Sequence, residues 1–178
     1  MPFDWSQTPD GDRLTPGNTL FASPPFATIA PGARQTVRVL ATPTDRSRES
    51  EYRLVISQLP GPGESGAAGV HILLQFNIPV FVAAGRPAPP QVAWDAIRTG
   101  HHLSVIAQNT GARTVKIQDL RIFQNGQSET PAFRRLGYIL PAAAQEWQLD
   151  SASATPIHIE ARDGLSGAAI TADVTPHG

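Results

Sequence analysis

Apolar and polar residues alternate with a period of two through several short stretches of this chain, the signature of strands with one buried face. In residues 36–40, Val37 and Val39 fall on one face and Thr36 and Arg38 on the other. In residues 52–59, Tyr52, Leu54 and Ile56 share a face opposite Arg53, Val55 and Ser57. Residues 70–82, VHILLQFNIPVFV, place Val70, Ile72, Leu74, Phe76 and Ile78 at every second position. The run LFASPPFATIAPGARQTVRVL, residues 20–40, reads as two strands around a Pro/Gly turn, and the glycine-rich stretch 61–69 reads as a loop. No internal helix of ordinary length is evident.

The prolines of residues 83–90, AAGRPAPP, favour a stiff extended linker. Beyond it strand patterns resume at residues 92–94, 102–108, 114–123, 135–139, 146–149, 157–161 and 169–174. NTGAR at 109–113 and the Asn125-Gly126 pair are turns between antiparallel neighbours. The expected organisation is all-β, with two immunoglobulin-like β-sandwich domains, 1–84 and 85–178, joined by a short linker.

Composition agrees with that picture. The chain has 178 residues, enough for two small sandwiches, and its 15 Gly and 17 Pro suit many strands separated by turns. Fourteen Lys and Arg balance fifteen Asp and Glu, so no long-range field draws the chain to nucleic acid or to an anionic membrane surface. The absence of cysteine excludes disulfides and thiolate-held metals. No segment has the 18 or so apolar residues that a membrane span needs, so membrane insertion is not expected. MPFDWSQTPDGDR lacks the order of a signal peptide, and these features alone point to the cytoplasm.

Residues that could carry chemistry are few. The histidines are His71, His101, His102, His158 and His177, and the His101-His102 pair has no acidic neighbour at ligand spacing, so neither metal nor cofactor is expected. Glu49 and Glu51 lie in a charged stretch, DRSRESE, that reads as a solvated turn. Trp5, Trp94 and Trp147 read as core or sandwich-corner fillers. No nucleophile, metalloprotease or phosphate-loop motif occurs, and the chain is not expected to be an enzyme.

Four pieces of sequence, standing in order, carry a resemblance: SPP at 23–25, the APG turn with Gln35 and Arg38 after it, YRL at 52–54 and IPVFV at 78–82. Together they resemble the periplasmic pilus-assembly chaperones of the PapD-like family, and the IPVFV ending is similar to the archaic, spore-coat/Csu-like branch. LGYILPAAAQEW, 136–147, is similar to the family's second-domain segment. Against the family pattern the chain starts partway through strand two, without the signal peptide and first strand.

The resemblance implies a molecular chaperone that captures pilin subunits by donor-strand complementation and delivers them to an outer-membrane usher in the periplasm. An edge strand with large apolar residues at every second position is what such β-augmentation requires. The donor residues implied are Val70, Ile72, Leu74, Phe76 and Ile78, and Pro79 fits an edge strand because it cannot donate to a ladder. The family anchors the subunit's terminal carboxylate between two basic residues. The corresponding positions here carry no charge, which leaves Arg38, Arg53 and Arg86 as candidates by sequence proximity. Two alternatives remain at this level: an immunoglobulin-like structural or adhesion module in which residues 70–82 form an inner strand, and a truncated chaperone without activity. A sandwich short of strands would also self-associate through its open edge.

Overall fold

The structure is a computed structural model and describes residues 1–43, 45, 47–61, 70, 72–83, 85, 91–129, 137–151 and 153–178. The expected loop 61–69 therefore lies outside the described residues apart from Gly61, as do His71, Arg86 and all of the expected linker except Ala83 and Gly85. Among the described residues the fold is all-β, with fourteen strands arranged as two immunoglobulin-like sandwiches. No helix of the described residues is long and apolar enough to cross a membrane.

The first sandwich contains β1 (Pro2–Thr8), β2 (Gly11–Pro16), β3 (Leu20–Ser23), β4 (Arg38–Ala41), β5 (Ser50–Ser57) and β6 (Gln75–Val82). One layer is an antiparallel sheet in the order β2-β1-β5-β6, and the other is the pair β3-β4. The layers meet where Leu20, Tyr52 and Leu54 are buried. There the Thr19 hydroxyl lies 3.4 Å from the Asp4 carboxylate and 3.3 Å from the Tyr52 hydroxyl, which ties β3 beneath β1 and β5. Gly17 fits the same crowded spot, since a Cβ there would meet the Asp4 carboxyl. Strand β6 starts at Gln75 rather than at residue 70. Before it, the Leu74 carbonyl still accepts from Gln58 N–H, but among the described residues those ahead of Leu74 find no ladder partner on β5, which ends at Ser57.

The second sandwich contains β7 (Val92–Thr99), β8 (His102–Asn109), β9 (Val115–Gln124), β10 (Gln127–Glu129), β11 (Tyr138–Ile139), β12 (Ala144–Asp150), β13 (Ile157–Asp163) and β14 (Ala169–Val174). Its layers are β10-β9-β13-β14, with β11 on β9, and β12-β8-β7. Alternation decides its core. Leu103, Val105 and Ala107 of β8 face Ile157, Ile159 and Ala161 of β13 across the layers, and each large aliphatic buried there contributes roughly 1.5–3 kcal/mol. Trp147 is fully buried and stacks on Trp94 at 5.8 Å. The Asn125-Gly126 turn joins β9 to β10 with both residues in the left-handed region, at φ 53° and 75°, which Asn and Gly tolerate. Asp119, at φ 52°, marks a bulge opposite the register shift between Glu160 and Arg162.

Candidate functional site

The two sandwiches meet on the outward face of the β1-β5-β6 sheet. Side chains alternate along β5, so Tyr52 and Leu54 point into the first sandwich while Glu51 and Arg53 point out of it, toward the second. Gln7 bridges the gap: its amide donates to the Tyr138 carbonyl at 2.8 Å, and its oxygen accepts from Leu140 N–H at 2.9 Å. Glu49 bridges it again, with its N–H donating to the Ala112 carbonyl and its carboxylate accepting from Thr114 N–H, both at 2.8 Å.

Between these two bridges lies an aromatic and cationic cluster. Trp5, Phe81 and Tyr138 sit 5.4–6.0 Å apart, with Trp5 and Tyr138 edge to face. The Arg53 guanidinium covers Trp5 at 3.6 Å from the ring centre and Tyr138 at 5.5 Å, and Lys116 reaches Tyr138 from β9 at 5.3 Å. Arg53 also pairs with Asp12 at 3.7 Å. Burial lowers the Arg53 pKa from its ordinary value, against the opposing pull of Asp12.

Glu49 and Glu51 are thus not the solvated turn that the sequence suggested. Glu51 lies in β5 and Glu49 immediately precedes it, at the joint, because strand β5 begins earlier than the charged run implies. Burial first, and the neighbouring Glu49 carboxylate second, push the Glu51 carboxyl up to about 7, with Arg48 opposing. Glu51 Oε1 and Trp5 Nε1 are buried there without a hydrogen-bond partner among the described residues.

Strand β6 borders this joint and, among the described residues, is the edge of its sheet, hydrogen-bonded to β5 alone. The apolar series is bare. Val70 is 92% exposed, Ile72 80%, Leu74 55%, Phe76 57% and Ile78 41%. Arg53 stands directly across from Pro79 in the β5-β6 register, so a cation lies beside the middle of β6, whose own residues carry none. Arg38 lies on β4, in the other layer, opposite Ser23. The structure therefore brings Arg53 next to β6 and leaves Arg38 away from it.

Three of the histidines pair with acids on the surface. His102 lies 3.2 Å from Asp150, His158 2.6 Å from Asp173 and His177 2.8 Å from Asp95. These acids are distant in sequence and meet the histidines only through sheet pairing and the path of the chain end, which is why spacing did not reveal them. Among the described residues no group of three or more such side chains is placed to hold a metal. Sequence reasoning also missed Gln7, Lys116 and Tyr138, which are ordinary strand residues until the second sandwich is laid against the first.

The class defined by this architecture is a pair of immunoglobulin-like sandwiches with a bare apolar edge strand beside the joint. Residues 4–88 match the family model of the pili and flagellar-assembly chaperones, PapD N-terminal domain, so the first sandwich is similar to that domain. That family is one of chaperones, not of enzymes. Solved structures share the fold. The chaperone–tip adhesin complex CsuC-CsuE of Acinetobacter baumannii Csu pili matches with a TM-score of 0.67 at 18% identity, over 99% of this chain and 83% of that one. The Pseudomonas aeruginosa CupB2 chaperone matches at 0.56 and 15% identity over 89% and 75%, and the YadV chaperone at 0.62 and 16% over 88% and 78%. Among curated proteins none matches the sequence.

Proposed function

We propose that this chain is a chaperone for pilin-type subunits and holds them by lending β6, with the residues before it, as an added strand. The observation that carries the reading is the coincidence of a free sheet edge with a series of exposed large apolar side chains at alternate positions, from Val70 to Ile78. Backbone pairing along β6 would supply affinity, and the apolar series would fill successive pockets of a subunit sandwich that lacks a strand. A structural module would bury such a series, because a bare apolar edge is an aggregation hazard.

Arg53 is the favoured carboxylate anchor. It stands across from Pro79, on the face shared with the joint, and Lys116 approaches the same Tyr138 ring from the second sandwich. A terminal carboxylate held there by charge-assisted hydrogen bonds would fix the register of the strand added to β6. The same reading carries periplasmic residence, delivery to an outer-membrane usher and a domain boundary near residue 84. It involves neither a cofactor nor nucleic acid.

Co-purification with a co-expressed pilin-type subunit tests the reading, run in parallel with Ile72→Asp. Retention by the unmodified chain and loss by the variant is the expected result. Equal retention by both would assign capture to another surface, and retention by neither would favour a structural module.

A further inference from the structure

We propose that Asp12 is a built-in counter-ion that competes with the terminal carboxylate of a captured subunit for the Arg53 guanidinium. This role presupposes Arg53 as the carboxylate anchor and adds what limits the strength of that anchor.

Asp12 reaches the site through the β1-β2 hairpin. Pro9 and Asp10 form a two-residue turn between Thr8 and Gly11, which sets Asp12 across from Gln7. Residues paired across strands share a face, as do alternate residues of one strand. Phe3 stands across from Arg53, and Trp5 and Gln7 follow Phe3 at alternate positions of β1. Asp12, Gln7, Trp5 and Arg53 therefore lie on one face of the sheet, the face turned to the second sandwich. Gln7 fixes the acid there. Its amide donates to Asp12 Oδ1 at 2.9 Å and to the Tyr138 carbonyl at 2.8 Å. The other oxygen, Asp12 Oδ2, is left facing Arg53 Nη2 at 3.7 Å.

That pair is loose. Its 3.7 Å separation exceeds the length of a charge-assisted hydrogen bond, about 2.7–2.9 Å. The Asp12 side chain is 49% exposed, and an exposed pair shifts an equilibrium by at most about fivefold. The guanidinium is positioned instead by the Trp5 and Tyr138 rings, and it makes no hydrogen bond among the described residues. A cation held by stacking, with its donors unspent and a weakly bound acid beside it, is arranged for exchange of one carboxylate for another. Nη2 belongs to both edges through which a guanidinium grips a carboxylate with two bonds, Nε with Nη2 and Nη1 with Nη2. An incoming carboxylate must therefore displace Asp12 or lie beside it as a like charge, and either lowers its affinity. Burial disfavours the Arg53 charge and Asp12 favours it, so the empty site keeps a counter-ion. Asp12 takes Arg53 back when a subunit leaves, which keeps capture reversible.

Titration of the full chain and its Asp12→Asn variant with a synthetic peptide of a pilin-type subunit's terminal sequence, as free acid and as amide, tests this. The free acid should bind the variant about threefold more tightly than the parent, and the amide should bind both alike. Asp10→Asn removes the same charge from the turn above Asp12 and should change neither. In the unmodified chain, the nitrogen-15 signal of the Gln7 side-chain amide should move with the free acid and stay with the amide, because Gln7 holds Asp12. Equal binding of the free acid by parent and Asp12→Asn overturns the competition and leaves the anchor standing. Weaker binding by Asp12→Asn also overturns it, since Asp12 would then support Arg53 instead of competing for it. Tightening by Asp10→Asn to the same extent would assign the effect to general charge and overturn it too. A parent that binds acid and amide alike removes the anchor, and the role of Asp12 with it. A Gln7 signal that the free acid does not move overturns the competition even if a variant fails to fold.

Discussion

The guanidinium of Arg53 lies 3.6 Å above the ring of Trp5, and this contact holds the centre of the joint between the two sandwiches. Trp5 is 4% exposed although it points away from the first sandwich's own core, so its burial depends on the second sandwich. Trp5→Ala is expected to cost about 3–5 kcal/mol and to split unfolding into two transitions, one per sandwich. Arg53→Lys keeps the charge but loses the planar stack, and about 1 kcal/mol is expected to go with it. Urea titrations followed by tryptophan fluorescence and by circular dichroism check both, because coincident transitions in Trp5→Ala would mean that this contact does not carry the coupling between the domains.

Glu51 makes stability depend on pH. Its folded pKa, about 7, lies above the ordinary carboxylate value of 4.5, so between those values the folded chain binds the extra proton. Stability therefore falls as pH rises through that window and levels off above it. Burial and Glu49 are the causes, so Glu51→Gln should flatten the fall and leave the variant more stable than the parent above pH 7. The gain expected is on the order of 1–2 kcal/mol once partial solvent screening is allowed for. Thermal melts of both proteins from pH 5 to pH 8 read it directly, and parallel profiles would assign the pH dependence to another group.

Asp163 organises the second sandwich. Its carboxylate accepts from Lys116 N–H at 3.0 Å, from Leu165 N–H at 3.1 Å, from the Ser166 hydroxyl and from the Arg113 guanidinium at 2.9 Å. Burial pushes this carboxyl up, but the hydrogen bonds from Ser166, Lys116 and Leu165 and the charge of Arg113 together hold it below the usual carboxylate range. Asp163→Ala would strand these donors and should destabilise the second sandwich by about 3–5 kcal/mol. A shift in the urea midpoint below about 1 kcal/mol would show that the loop re-forms its bonds with water.

Much of this fold was legible in the sequence, for identifiable reasons. Strands β5, β8, β13 and β14 alternate apolar with polar residues because one face is buried, and alternation is what a sequence displays best. The β1-β2 hairpin was not separately legible, since Gly11–Pro16 is almost wholly exposed and carries no apolar stripe. The bare edge series was visible as a pattern, but its exposure was not, because an inner strand with two apolar faces reads the same way. The joint was invisible. Gln7 and Tyr138 are separated by 131 residues, and nothing local marks a glutamine whose partners are a backbone carbonyl and N–H in another domain.

The anchor carries its own expectation. With Arg53 beside Pro79 and Lys116 near the same Tyr138 ring, Arg53→Ala should weaken subunit capture at least tenfold, Lys116→Ala should weaken it less, and Arg38→Ala should leave it unchanged. Competition by a peptide with the subunit's terminal sequence, compared with its amidated form, separates carboxylate recognition from the loss of the Trp5 stack. Equal competition by the two peptides would remove Arg53 from this role.

Strand donation is tested most directly by deuterium exchange of this chain with and without a captured pilin subunit. The account predicts strong new protection along β6, Gln75–Val82, and through the residues from Ile72 to Leu74, with β1 and β2 unchanged. Protection confined to the second sandwich, with β6 exchanging as it does in the free chain, would contradict it.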